Sequence, residues 1–228
     1  MKKICLSIFA LVISSYFVCA QNTVASAVDQ TNSAQYPVNI AVLGGSSADI
    51  FFEDAESFER SGDFDSAISM FNKAANEYQQ TKKLGRYSTA LIRLSNVHLM
   101  LSNYAEAEQI VLKQVLKNYT KMGSRAGQMA AYQQLGRIYL AANKLTQSLW
   151  FYTQHGILAQ QLHDNNAYIE SVLGIAAVKI KKKDYLLASK DLNTAELLSK
   201  NAKTIQYNHL IKSNRALIAE KTLIAKKG

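Results

Sequence analysis

Gly62-Asp63-Phe64-x-x-Ala67, Ser102-Asn103-Tyr104-x-x-Ala107, Asn143-Lys144-Leu145-x-x-Ser148 and Lys183-Asp184-Tyr185-x-x-Ala188 are four copies of one pattern. Each has a turn former, a large apolar residue two positions on, and a small residue three beyond that. The small residues stand 40, 41 and 40 positions apart, and a second column, Ala55, Ser95, Gly136 and Ala176, keeps the same register. A small side chain recurring once per unit lets two helices approach closely, and two columns sharing one spacing mark a stacked repeat array. Pro37 is the only proline, so nothing after it forces a helix to break. From Ala48 onward apolar residues recur at spacings of three and four, as amphipathic helices require. The expected fold is all-α.

The third copy is the fullest: Tyr132-x-x-Leu135-Gly136-x-x-Tyr139 on a first helix, then Ser148-x-x-x-Tyr152 on a second. This resembles the tetratricopeptide repeat, which places aromatic, leucine, glycine and tyrosine on its first helix and a small and an aromatic residue on its second. The resemblance covers roughly residues 48–226. It implies a right-handed superhelix of about four helix-turn-helix repeats, near 48–81, 88–121, 129–162 and 169–202, in a repeat domain over 47–228. A capping helix is expected at 207–226, where Ala216 falls forty residues beyond Ala176. The family binds peptides or partner helices in a concave groove lined by the first helices and has no chemistry of its own. This chain departs from it in period, about 40 against about 34, in lacking the closing proline, and in having Lys179 where an aromatic is usual.

Ahead of the repeats, Lys2 and Lys3 precede an apolar run from Ile4 to Val18, and Val18-Cys19-Ala20 comes before Gln21. That is the three-part layout of a secretory signal cleaved after Ala20, with an uncleaved anchor or lipidation at Cys19 as alternatives. Export to a bacterial periplasm or medium is expected. Residues 21–46 are polar and without a helical stripe, which reads as a flexible segment. Within them Val38 to Gly45 resembles the first strand and glycine turn of a nucleotide fold, but no G-x-G-x-x-G follows. Both cysteines, Cys5 and Cys19, lie in the leader, so the mature chain has no thiol for catalysis or metal binding.

No catalytic motif stands out, and no cofactor or metal is expected. The four histidines, His98, His155, His163 and His209, have no metal spacing. His98 and His155 read as packing residues, and His163 and His209 as residues of the connections. Asp49, Glu53, Asp54, Glu56, Glu59, Asp63 and Asp65 do not match a calcium loop and read as a solvated helix face plus a turn.

If the superhelix forms, Arg93, Asn96, Gln133, Gln134 and Arg137 should line its groove, offering hydrogen bonds to a protein or peptide partner. Ile92, Leu99 and Leu140 accompany them. Loss of Lys2 and Lys3 with the leader leaves 24 bases against 17 acids, a net +7. The charge is uneven: residues 47–66 carry seven acids and one base, and residues 160–228 twelve bases and six acids. Self-association through oppositely charged ends is therefore a second expectation. Lys179, Lys181, Lys182 and Lys183 leave a peripheral contact with an anionic membrane open. They lack the interleaved aromatics of a nucleic-acid surface, and an export signal argues against nucleic acid.

Overall fold

The computed structural model describes residues 46–227. The expected leader at 1–20 and all but the last residue of the 21–46 segment lie outside the described residues. Among these, the chain forms helices and no strand. They are α1 (Ser47–Ser61), α2 (Phe64–Gln80), α3 (Leu84–Met100), α4, α5 (Arg125–Ala141), α6 (Leu145–Gln161), α7 (Asn165–Lys181), α8 (Tyr185–Asn201) and α9 (Asn208–Lys227). α4 is composite: Tyr104–Gln109, a π-helical stretch Ile110–Val115, then Leu116–Lys121.

Short turns with one left-handed closure join the helices. Gly62, Lys82, Ser102, Gly123, Asn143, His163, Lys183 and Lys203 all have positive φ, between 53° and 81°. The residue after each donates its N–H back five positions, as Asp63 does to Phe58 at 3.0 Å and Asp164 to Ala159 at 2.9 Å. This left-handed closure recovers carbonyls that a helix end leaves unpaired. The turn residues are 20 apart except for Ser102 and Gly123, which are 21 apart. That extra residue lies in α4, and the π-helical stretch absorbs it: one inserted residue widens the local hydrogen-bond ring instead of breaking the helix. The 41 in the repeat spacing thus has a backbone cause. The turn after α2 ends at Lys83, and the chain is helical from Leu84 on.

Successive helices pack antiparallel into pairs, α1/α2 through α7/α8, with α9 closing the stack. Both small-residue columns are buried: Ala55, Ser95, Ala176, Ala67, Ala107, Ser148 and Ala188 are all at 0% exposure, and Gly136 is buried with them. Ser148 Oγ donates to the Gly136 carbonyl at 2.7 Å, a contact only two small residues permit. Ala216 of α9 keeps the register but is exposed. The first helices α3, α5, α7 and α9 touch their counterparts directly, whereas the second helices are spread farther apart. The first helices therefore form the inner wall of an all-α superhelical array.

Candidate functional site on the inner wall

The inner wall carries a polar seam built from one residue per first helix. Glu59 of α1, Asn96 of α3, Gln133 of α5, Glu170 of α7 and Tyr207, just before α9, are each 37 positions apart. A spacing three short of the repeat shifts the seam almost one helical turn per repeat, so it crosses the wall diagonally. Asn96 Nδ2 donates to Glu59 Oε1 at 2.8 Å, Gln133 Nε2 to Glu170 Oε2 at 2.6 Å, and the Tyr207 hydroxyl to Glu170 Oε1 at 3.2 Å. Between Asn96 and Gln133 the link runs through neighbours: Gln134 Nε2 donates to Ser95 Oγ at 3.0 Å.

Arg93 and Arg137 sit in this seam. Arg93 pairs with Glu59 at 2.8 Å and with Glu56 at 3.2 Å, and its guanidinium lies 6.0 Å from the centre of the Phe71 ring. The Glu59 side chain is fully enclosed, and burial pushes its pKa up against the pull of Arg93 and Asn96. Glu59 is thus not part of a solvated acidic face. Nor is Asp49, which accepts from Tyr78 at 2.5 Å; that bond, with those from Ser46, holds its pKa down to about 2. Asp63 caps α2 by accepting from Ser66 N at 3.2 Å. Burial also raises Glu170, partly offset by His155, Tyr207 and Gln133.

All five residues expected in the groove lie on α3 and α5, and the structure joins them in this one seam. Their freedom differs. Asn96 and Gln134 are buried and bonded across repeats, Gln133 is held by Glu170, and Arg93 is held by two carboxylates. Arg137 is the exception. Its hydrogen bond within the described residues is one from Nη1 to Gln134 Oε1 at 3.3 Å, although a guanidinium has five N–H donors. Burial lowers its pKa, while Tyr152, Glu59 and Glu170 act to keep it charged. Glu59, Glu170 and Tyr207 are the seam residues that sequence reasoning missed.

Elsewhere the expected features are occupied by packing. His155 is 2% exposed and its Nδ1 lies 3.0 Å from the Met129 carbonyl. His163 holds a turn, and His209 is the second residue of α9, not part of a connection. Lys179 pairs with Asp191 at 2.6 Å, Lys181 donates to the Leu140 carbonyl at 2.9 Å, and Lys182 faces Asp184 at 3.8 Å. Three of the four lysines of that basic run thus have acceptors. Among the described residues, no group of three or more His, Cys, Asp or Glu side chains is placed to hold a metal, and no helix is long and apolar enough to cross a membrane.

No protein-family model and no curated protein matches the sequence. Solved structures do match the fold. The crystal structure of BtubC (BKLC) from P. vanneervenii superposes with a TM-score of 0.61 at 16% identity, covering 69% of this chain and 65% of that one. The apo form of RapI superposes with a TM-score of 0.63 at 11% identity, covering 78% of this chain and 71% of that one. The chain thus spans about two thirds of BtubC. At these identities the likeness shows a helical-repeat fold.

Proposed function

We propose that this chain is an exported, non-catalytic scaffold of tetratricopeptide type that holds an extended or helical segment of a partner protein against its inner wall. The observation that carries the reading is Arg137: a seam guanidinium whose charge Glu59 and Glu170 support electrostatically, with one donor committed to Gln134. A half-buried guanidinium with unused donors favours a ligand that brings acceptors, such as peptide carbonyls or a carboxylate. The surrounding Asn96, Gln133, Gln134 and Arg93 are already fixed by their neighbours, so ordering them on binding costs little. Export rests on the leader, and absence of catalysis on the lack of any catalytic motif in the sequence.

The test is to pan a random-peptide display library on residues 21–228 and to rebind the enriched peptides to an Arg137→Ala variant whose melting temperature matches wild type. Loss of roughly tenfold or more in affinity is expected, the worth of one charge-assisted contact. Peptides that bind both proteins equally would move the interface off the inner wall.

A second reading, assembly through the ends, draws on the acid-rich 47–66, the base-rich 160–228 and the uncovered Ala216 of α9. It requires concentration-dependent oligomers that dissolve with added salt.

A further inference from the structure

At the closed end of the stack, away from Arg137, a cavity of about 330 Å³ opens between the C-terminal half of α8 and the first turns of α9. That volume lies at the small end of the range for small-molecule sites. Lys200, Lys203, Lys212 and Arg215 line it, against one acid, Glu196. Glu196 is already shared: Arg215 reaches it at 2.7 Å and Lys200 at 3.1 Å. Arg215 is further fixed by Asn193 Oδ1 at 2.7 Å. The amines of Lys203 and Lys212 have no partner among the described residues, so two cations in one concavity face no anion. Elsewhere on this end of the molecule, Lys179 and Lys182 each have a carboxylate.

Two features keep these groups together. Lys203 is the left-handed residue of the α8–α9 turn, φ 53°, and the next N–H, of Thr204, closes that turn on the Ser199 carbonyl at 3.0 Å. Lys212 rises from α9 next to Ile211, which is buried. The lysine stems therefore start from fixed backbone, and only their outer carbons are free to adjust to a ligand. Arg215 and Lys200, held by Glu196, form the rigid side of the same wall.

We propose that this cavity is a binding site for a small, multiply charged oxyanion, with Lys203 and Lys212 as the residues that neutralise it. Four cations around one carboxylate leave a surplus of three charges, which a ligand of two or more negative charges offsets and a neutral one does not. The site is separate from the inner wall and does not depend on the peptide-binding reading.

The experiment is calorimetric titration of residues 21–228 with inorganic pyrophosphate and, separately, with citrate. A Lys203→Gln/Lys212→Gln variant is compared with a Lys82→Gln/Lys83→Gln control, which removes the same charge from an exposed turn that lacks the cavity. All four lysines are exposed, so equal melting temperatures are expected. Saturable one-site binding to wild type and control, weakened roughly tenfold or more in the first variant, supports the site. Pyrophosphate without citrate would assign phosphate chemistry to it, and both together oxyanion charge in general. No saturable binding of either probe, or an equal loss in both variants, overturns it.

Discussion

Between the two helices of a pair, contact is made by side chains with little to desolvate: Ala67, Ala107 and Ala188 lie at 0% exposure against Ala55, Ser95 and Ala176. Between the first helices of successive repeats, contact along the seam is made by carboxylates, amides and guanidinia, joined by bonds such as Asn96 to Glu59 and Gln133 to Glu170. The first interface repeats every 40 or 41 residues and cannot drift, because a side chain larger than serine would hold the helices apart. The second advances by 37, since hydrogen bonds between long polar side chains tolerate a sliding register. Packing thus sets the stack, and the polar seam lays a surface across it in which Arg137 keeps a single hydrogen bond, to Gln134.

The sharpest way to break this division is at Tyr152, where the two interfaces meet. Its ring is wedged between glycines of two first helices: a methyl group on Gly136 would come within 2.9 Å of it, and one on Gly174 within 2.4 Å. Tyr152 is 5% exposed. Tyr152→Ala should cost about 3–5 kcal/mol of stability, the usual loss for a buried aromatic whose cavity cannot collapse. Chemical denaturation reads it. A loss under about 1 kcal/mol would mean that adjacent repeats are coupled mainly by the seam.

The seam itself is tested at Arg93. Arg93→Ala leaves the enclosed Glu59 carboxylate with Asn96 as its one remaining donor. The expected cost is about 2 kcal/mol near neutral pH, from the loss of a charged hydrogen bond. It should shrink as pH falls, because the orphaned carboxylate, its pKa already raised by burial, escapes by taking up a proton. A cost independent of pH would mean that Arg93 acts through packing on Phe71 alone.

How much of this was legible follows the same division. The 40-residue columns stood in the sequence because packing admits few residue types at those positions. The 41 was visible as a number, but a π-helical turn is a backbone event with no residue signature, so its place in α4 was not. Ser102, Asn143 and Lys183 are legible as turn formers by their place in the repeat and His163 as part of a connection, whereas Lys82 and Lys203 are not, since they fall outside the quoted pattern and lysine has no leaning to positive φ. On the inner wall, Arg93, Asn96, Gln133, Gln134 and Arg137 were placed from the repeat register. Glu59 reads in sequence as part of an acidic face, and Glu170 and Tyr207 carry no signal at the packing period, because the polar partners recur at 37.

Glu170 sharpens the comparison by pH. Burial raises its pKa, with His155, Tyr207 and Gln133 pulling it back and Asp164 adding to the rise. A carboxyl whose folded pKa is raised favours the folded state below its ordinary value of 4.5, and that contribution disappears as pH climbs through the raised value. Glu170→Gln keeps an acceptor for Tyr207 and removes the titration. Its melting temperature relative to wild type should therefore improve from pH 4 to pH 8. Asp49 runs the other way: held at about 2, it contributes above its ordinary 3.8 and loses that contribution as pH falls toward about 2. Asp49→Asn should thus be most harmful near neutrality and least in acid. Parallel profiles for the two variants would contradict the assignment of one to a dehydrated wall and the other to a hydrogen-bonded helix start.

The smallest effect is expected at the turns, where all repeats share one geometry but not one residue. His163 occupies the left-handed region at φ 54°, which costs a side-chain-bearing residue about 1–2 kcal/mol, and Gly123 occupies it at φ 64° without that cost. His163→Gly should therefore stabilise the chain, by about 0.5–1 kcal/mol once glycine's greater freedom in the unfolded state is subtracted. Gly123→Ala should destabilise it by a similar amount or more. A methyl group there meets nothing within 4 Å, so crowding cannot account for the loss. Opposite signs at these two turns would show that the stack closes by backbone geometry and that its side chains there are free to vary. Equal signs would mean that His163 makes a contribution beyond the turn it closes.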